Sequence, residues 1–113
     1  MNDALVTIVE HPTYVKRAEK LLTPDQMDEV ANTLAAHPLS GQVMPGTGGL
    51  RKWRYAGVSG KRKSGGVRVI HLFVSNAGVV HIVAIYAKSD RANLTKAEQN
   101  ALYDLAQILK EDE

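Results

Sequence analysis

The chain has 113 residues, a net charge of +2, 44% hydrophobic and 23% charged residues. That is the size and make-up of one globular domain spanning residues 1–113, not of a disordered chain. There is no cysteine, which excludes a disulfide scaffold, a thiolate zinc site and a cysteine nucleophile. No apolar run reaches the ~18 residues of a membrane span, and Met1-Asn2-Asp3-Ala4 lacks the basic start of a secretion signal. The expectation is a cytoplasmic protein with no membrane partner.

Residues 4–9 are apolar and β-branched and predict a strand. After His11-Pro12, the spacing of Tyr14, Val15, Ala18, Leu21 and Leu22 predicts a helix over 13–22. Thr23-Pro24-Asp25-Gln26 is a helix start, with Thr as N-cap, Pro at the first position and Gln closing a capping box. That helix should end near Ala36, ahead of Pro38. A loop rich in Gly and Pro over 38–49 leads to a strand over 50–56. Val67 to Val74 and Val79 to Ala87 are nearly apolar throughout and read as central strands joined in a hairpin at Gly78. Thr95 and Glu98 form a second capping box, opening a helix whose inner stripe is read as Ala101, Leu102, Leu105, Ile108 and Leu109. The order is β-α-α-β-β-β-α, and the fold class is α+β, an antiparallel sheet with helices on one face.

The charges are sorted along the chain. No Asp or Glu occurs between Glu29 and Asp90, a stretch holding Arg51, Lys52, Arg54, Lys61, Arg62, Lys63, Arg68 and Lys88. The stretch therefore carries +8 and the rest of the chain −6. This asymmetry points to a polyanion-binding face on an acidic body. The plainer alternative is a solvated basic surface neutralised by the flanking helices.

A three-residue hairpin loop over 76–78 pairs Ser75 with Val79, which sets Arg68 opposite Tyr86 with Lys88 further along the same face. The loop holding Lys61, Arg62 and Lys63 ends beside Arg68. Arg offers a planar fork to phosphate and Lys a mobile point charge. Trp53, Tyr55 and Tyr86 are candidates to stack on bases, with core packing the alternative for each. The basic region has no carboxylates for a two-metal nuclease. His11, His37, His71 and His81 show no metal-ligand spacing, so neither metal nor cofactor is expected. One reaction suits an all-basic site: RNA cleavage by the substrate's own 2′-hydroxyl. It needs a base, an acid and cations for the phosphorane, and crowded lysines lower one another's pKa.

The runs Gly46-Thr47-Gly48-Gly49-Leu50-Arg51-Lys52, Gly60-Lys61-Arg62-Lys63-Ser64-Gly65-Gly66, Val67-Arg68-Val69-Ile70 and Ile85-Tyr86-Ala87-Lys88 together resemble a HigB/RelE-type toxin over nearly the whole chain. The HigB branch, with a helix after the last strand, is the nearest. The resemblance implies a RelE/ParE-like fold and the toxin of a two-gene module. Such a toxin is a metal-independent endoribonuclease cutting mRNA in the ribosomal A site. Its partners would be the ribosome and mRNA, a HigA-like helix-turn-helix antitoxin, and operator DNA only through the antitoxin complex. By motif, the catalytic positions fall at Lys61, Lys63, Arg68 and Lys88. The late catalytic tyrosine or histidine of the family leaves Tyr103, in a packing stripe, or Tyr86 as a substitute. Arg51, Lys52, Arg54 and Arg62 are the expected RNA contacts. The alternatives are a ParE-like gyrase poison of the same fold, or an RNA-binding module without catalysis.

Overall fold

The computed structural model describes residues 6–56, 66–87 and 94–111. The elements in chain order are β1 (Thr7–Glu10), α1 (Pro12–Leu21), α2 (Pro24–Ala36), β2 (Gln42–Val43), β3 (Arg51–Tyr55), β4 (Val67–Val74), β5 (Val79–Ala87) and α3 (Lys96–Glu111). The predicted α+β class and element order hold, with the two-residue β2 added inside the expected 38–49 loop. Both helix starts form as read. Thr23 Oγ1 accepts the Gln26 N–H at 3.1 Å while Gln26 Oε1 accepts the Thr23 N–H at 2.8 Å. The Thr95–Glu98 pair does the same at 3.1 and 2.9 Å, so orphan N–H groups of each first turn are satisfied.

The five strands lie in the order β1-β5-β4-β3-β2. All neighbours are antiparallel except β1 and β5, so the sheet is mixed where a purely antiparallel one was expected. The β3–β4–β5 meander leaves one edge of β5 open, and β1 takes it. Because β1 is short, it covers only Val79 to Ile82 of that edge. Beyond it the edge is tied to the start of α1. The His11 N–H donates to the Ile82 carbonyl at 3.0 Å, and Thr13 Oγ1 donates to the Val83 carbonyl at 3.2 Å.

The sheet is buried on both faces. On one, Tyr14, Ala18 and Leu22 of the α1 segment and Val30 and Leu34 of α2 pack on Val67, Val69, Val80, Ile82 and Ile85. On the other, Leu102, Leu105, Ala106 and Leu109 of α3 pack on Ile70, Leu72, Val74 and Val83. The helices are thus divided two and one between the faces, not gathered on one. The reason is in β4: apart from His71 in one and Arg68 in the other, its two side-chain rows are apolar, so leaving either uncovered would keep large apolar area in water. The stripe of α3 is also shifted from the predicted one. Ala106 is its fully buried residue, whereas Ile108 is 56% exposed and Ala101 lies outside. Gly48 lets α3 approach the 46–49 loop: a Cβ there would stand 3.2 Å from Ala106 Cβ and 3.3 Å from the Tyr103 ring.

The hairpin differs from its predicted register at the turn and agrees with it at the far end. Val74 pairs with Val79 across a four-residue turn, 75–78, so Ser75 does not face Val79. Gly78 takes the left-handed position in that turn, at φ 67°. His71 pairs with Ile82 but Ile70 with Ala84, so Val83 is an extra residue in β5. This bulge shifts the register by one, and Arg68 pairs with Tyr86 after all. The bulge carbonyl is the one that Thr13 takes.

Candidate functional site

Strand parity sorts the basic residues of β3. Arg54 pairs with Arg68, and Arg68 in turn with Tyr86, so the three form one row across β3, β4 and β5 on the α3 side. Lys52, opposite Ile70, stands one row further on the same face. Arg51 belongs to the other face, opposite His71. Its Nη1 donates to the carbonyls of Leu39 and Gly41, each at 3.1 Å, so it ties down the loop after α2. Of the four expected RNA contacts, the structure therefore puts Arg54 in the row and Lys52 next to it on the same face, and sets Arg51 on the other face. Lys61, Arg62, Lys63 and Lys88 lie outside the described residues.

Arg68 is half-buried, and its Nη1 is a buried donor with no hydrogen-bond partner among the described residues. No ion pair to it occurs among the described residues. Set between Arg54 and Tyr86 on the α3 side, the buried Nη1 has lost hydration with no partner among the described residues to replace it. An anion placed at the row would supply that missing partner. Tyr86 is 8% exposed and packs with the α3-side core; its ring forms one wall of a cavity beneath α3.

The other two aromatic candidates are committed elsewhere. Trp53 packs against the α1/α2 core, with its ring 5.6 Å from that of Tyr55. Tyr55 is buried and its hydroxyl donates to the Glu29 carboxylate. Burial and that hydrogen bond push its pKa up to about 12. Tyr103 lies over Gly48 but is 44% exposed, so it is not the packed residue its setting predicted.

The histidines form no metal set, and among the described residues no three His, Asp or Glu side chains gather as ligands. His71 is fully buried, with Nε2 2.9 Å from the Ser40 carbonyl. Donation to that carbonyl assigns the proton to Nε2 and leaves Nδ1 a buried, unpartnered acceptor. Burial lowers the His71 pKa; the hydrogen bond to Ser40 opposes this, and the nearby Arg51 charge adds to it. His81 pairs with His11, Nδ1 to Nε2 at 3.0 Å, at the junction where α1 meets the edge of β5.

One charged contributor escaped the sequence reading. Arg17 of α1 reaches the α3 side of β5 and lines the cavity beside Tyr86. It continues outward into a surface with Lys16 and Lys20. No sequence signal marked it: the bond from Thr13 to the β5 bulge, seen only in the fold, places Arg17, four residues on, one turn along the same edge.

No protein-family model matches the chain. Among solved structures it is similar to a free-state mutant of the E. coli toxin RelE in which two arginines are replaced by alanine. The TM-score is 0.58 at 13% identity, over 93% of this chain and 99% of that one. At such identity the likeness shows the fold: this is a RelE-like α+β domain. Among the described residues no helix is long and apolar enough to cross a membrane.

Proposed function

We propose that this chain is the toxin of a toxin–antitoxin pair, of the HigB branch, and that it cuts mRNA in the ribosomal A site without a metal. The observation that carries the reading is Arg68: a half-buried cation with no counter-charge among the described residues, flanked by Arg54 and Tyr86 in one row. The RelE-like fold and the motif runs of the sequence support it.

In the proposed reaction the 2′-oxygen attacks the adjacent phosphorus, the bond to the 5′-oxygen breaks, and a 2′,3′-cyclic phosphate remains. The 2′-hydroxyl proton passes to a base, and an acid returns a proton to the leaving oxygen. Arg68 donates to the non-bridging oxygens, where charge builds in the phosphorane. Arg54 and Lys52 hold the flanking backbone. Lys61, Lys63, Lys88 and the Tyr86 hydroxyl are the candidates for the two proton transfers. The partners are the ribosome with its mRNA and a HigA-like helix-turn-helix antitoxin, with operator DNA bound only through that complex, all in the cytoplasm.

Toeprinting of a defined mRNA on translating ribosomes, beside the same mRNA without ribosomes, tests this. Cleavage in the A-site codon only with ribosomes is the expected result. No cleavage in either arm, with growth still arrested on expression and gyrase supercoiling inhibited, would replace it with the gyrase-poison reading.

A further inference from the structure

The amino end of α1 is fastened to β5 at three points. The His11 N–H donates to the Ile82 carbonyl at 3.0 Å. The His11 and His81 rings meet at 3.0 Å between Nε2 and Nδ1. The Thr13 hydroxyl donates to the Val83 carbonyl at 3.2 Å. The third differs in kind from the other two. Successive carbonyls of a regular strand point to opposite edges. Those of Gly78, just before β5, and of Ile82 accept the N–H groups of Thr7 and His11 and so face the β1 edge. By alternation the Val83 carbonyl belongs to the β4 side. The bulge presents it to α1 instead.

A carbonyl turned out of its ladder needs a donor from elsewhere, and the Thr13 hydroxyl is one. Threonine side chains near a helix start ordinarily bond the backbone within a few residues. This one reaches a carbonyl 70 residues away. Its acceptor is the extra residue that sets Arg68 opposite Tyr86, so the hydroxyl bears on that pair through the bulge.

We propose that Thr13 is a positioning residue of the site, whose hydroxyl holds the Val83 bulge and with it the alignment of Arg68 and Tyr86. As an influence on mRNA cleavage it rests on the RNA-cleaving reading; as the anchor of the bulge it does not.

The test is Thr13→Val, which keeps the shape and removes the donor, beside Thr13→Ser, which keeps the donor. Amide hydrogen exchange of the intact protein reads the bulge, and ribosome-dependent cleavage reads the site. In Thr13→Val, exchange at residues 83–86 should quicken by roughly tenfold, the worth of one net hydrogen bond, with the rest of the sheet unchanged. The kcat for cleavage should fall by up to roughly a hundredfold, the effect of a displacement of about 1 Å, with KM near the wild-type value. Thr13→Ser should restore both.

Deleting Val83 should make the hydroxyl dispensable. The ladder then runs unbroken from the Val74–Val79 pair and still sets Arg68 opposite Tyr86, so Thr13→Val in that background should change neither readout. Unchanged exchange or unchanged kcat in Thr13→Val would overturn the proposal. So would a Ser variant as impaired as the Val variant, or an equal loss in the folded deletion background. Should the deletion chain not fold, the Val and Ser variants decide alone. Quickened exchange in Thr13→Val, restored by Ser, alongside mRNA that the wild type leaves uncut would uphold the anchor and overturn the cleavage reading alone.

Discussion

Arg68 stands directly opposite Tyr86 because Val83 is inserted in β5 as a bulge. With the register of the turn continued unbroken, Arg68 would face Ile85, and Tyr86 would point into the α1/α2 core. The bulge is held by α1, whose Thr13 hydroxyl takes the Val83 carbonyl. The same helix brings Arg17 to the cavity beside Tyr86. One irregularity in a strand thus joins an arginine, a tyrosine and a helix at one end of the sheet.

The first prediction concerns Arg68. Arg68→Ala should lower ribosome-dependent cleavage by roughly 10²–10³, the effect of removing one preorganised donor to a developing charge. Stability should be unchanged or higher, because the lost cation has no counter-charge among the described residues. Cleavage kinetics and thermal unfolding of the same sample check both parts. An unfolded variant would make Arg68 structural.

Tyr86→Phe isolates the hydroxyl. The ring still fills its place in the α3-side core, so the variant should fold. Cleavage should fall by roughly a hundredfold, the lower range for a group that moves a proton. Wild-type cleavage rates in a folded Phe variant would assign both proton transfers to the lysines. Tyr86→Ala, by contrast, should cost roughly 3–5 kcal/mol through the cavity it leaves.

His71 predicts a pH dependence of stability. Its folded pKa lies below the ordinary value of 6.5, chiefly through burial. The unfolded chain therefore binds the proton more readily, and stability falls as pH drops below that value toward the folded pKa. Burial lowers the His11 pKa in the same direction. The thermal midpoint should drop on acidification from about pH 7.5 to about pH 5.5. His71→Gln retains a donor for the Ser40 carbonyl and should show a smaller drop; an identical drop would remove His71 as a cause.

Thr23→Ala tests the capping box of α2. Losing the hydroxyl acceptor should cost about 1 kcal/mol. For a domain of about 100 residues that lowers the thermal midpoint by roughly 4–8 °C. Thermal unfolding by circular dichroism reads it, and no change would mean that water replaces the cap at no cost.

What the sequence determined by itself was local. Helix starts at Thr23 and Thr95 follow from side chains reaching three residues along the chain, and the β4–β5 hairpin from two apolar runs meeting at Gly78. The acid-free stretch from residue 30 to 89 needs no structure to be seen. Within β3, alternation alone separates Arg51 from Lys52 and Arg54 on opposite faces of the strand. Only the tertiary structure decided which face holds which. The apolar rows of β4 say that both faces are covered, not that α3 covers the one bearing Arg68. Val83 is an ordinary strand residue with no mark of a bulge, so the route by which Tyr86 comes to face Arg68 is invisible locally. Arg17, on a helix far from the basic stretch in sequence, joins the site because α1 packs along β5, where Thr13 takes the displaced carbonyl. Local preferences act within a few residues, whereas face, bulge and neighbour are set by which apolar surfaces find each other across the whole chain.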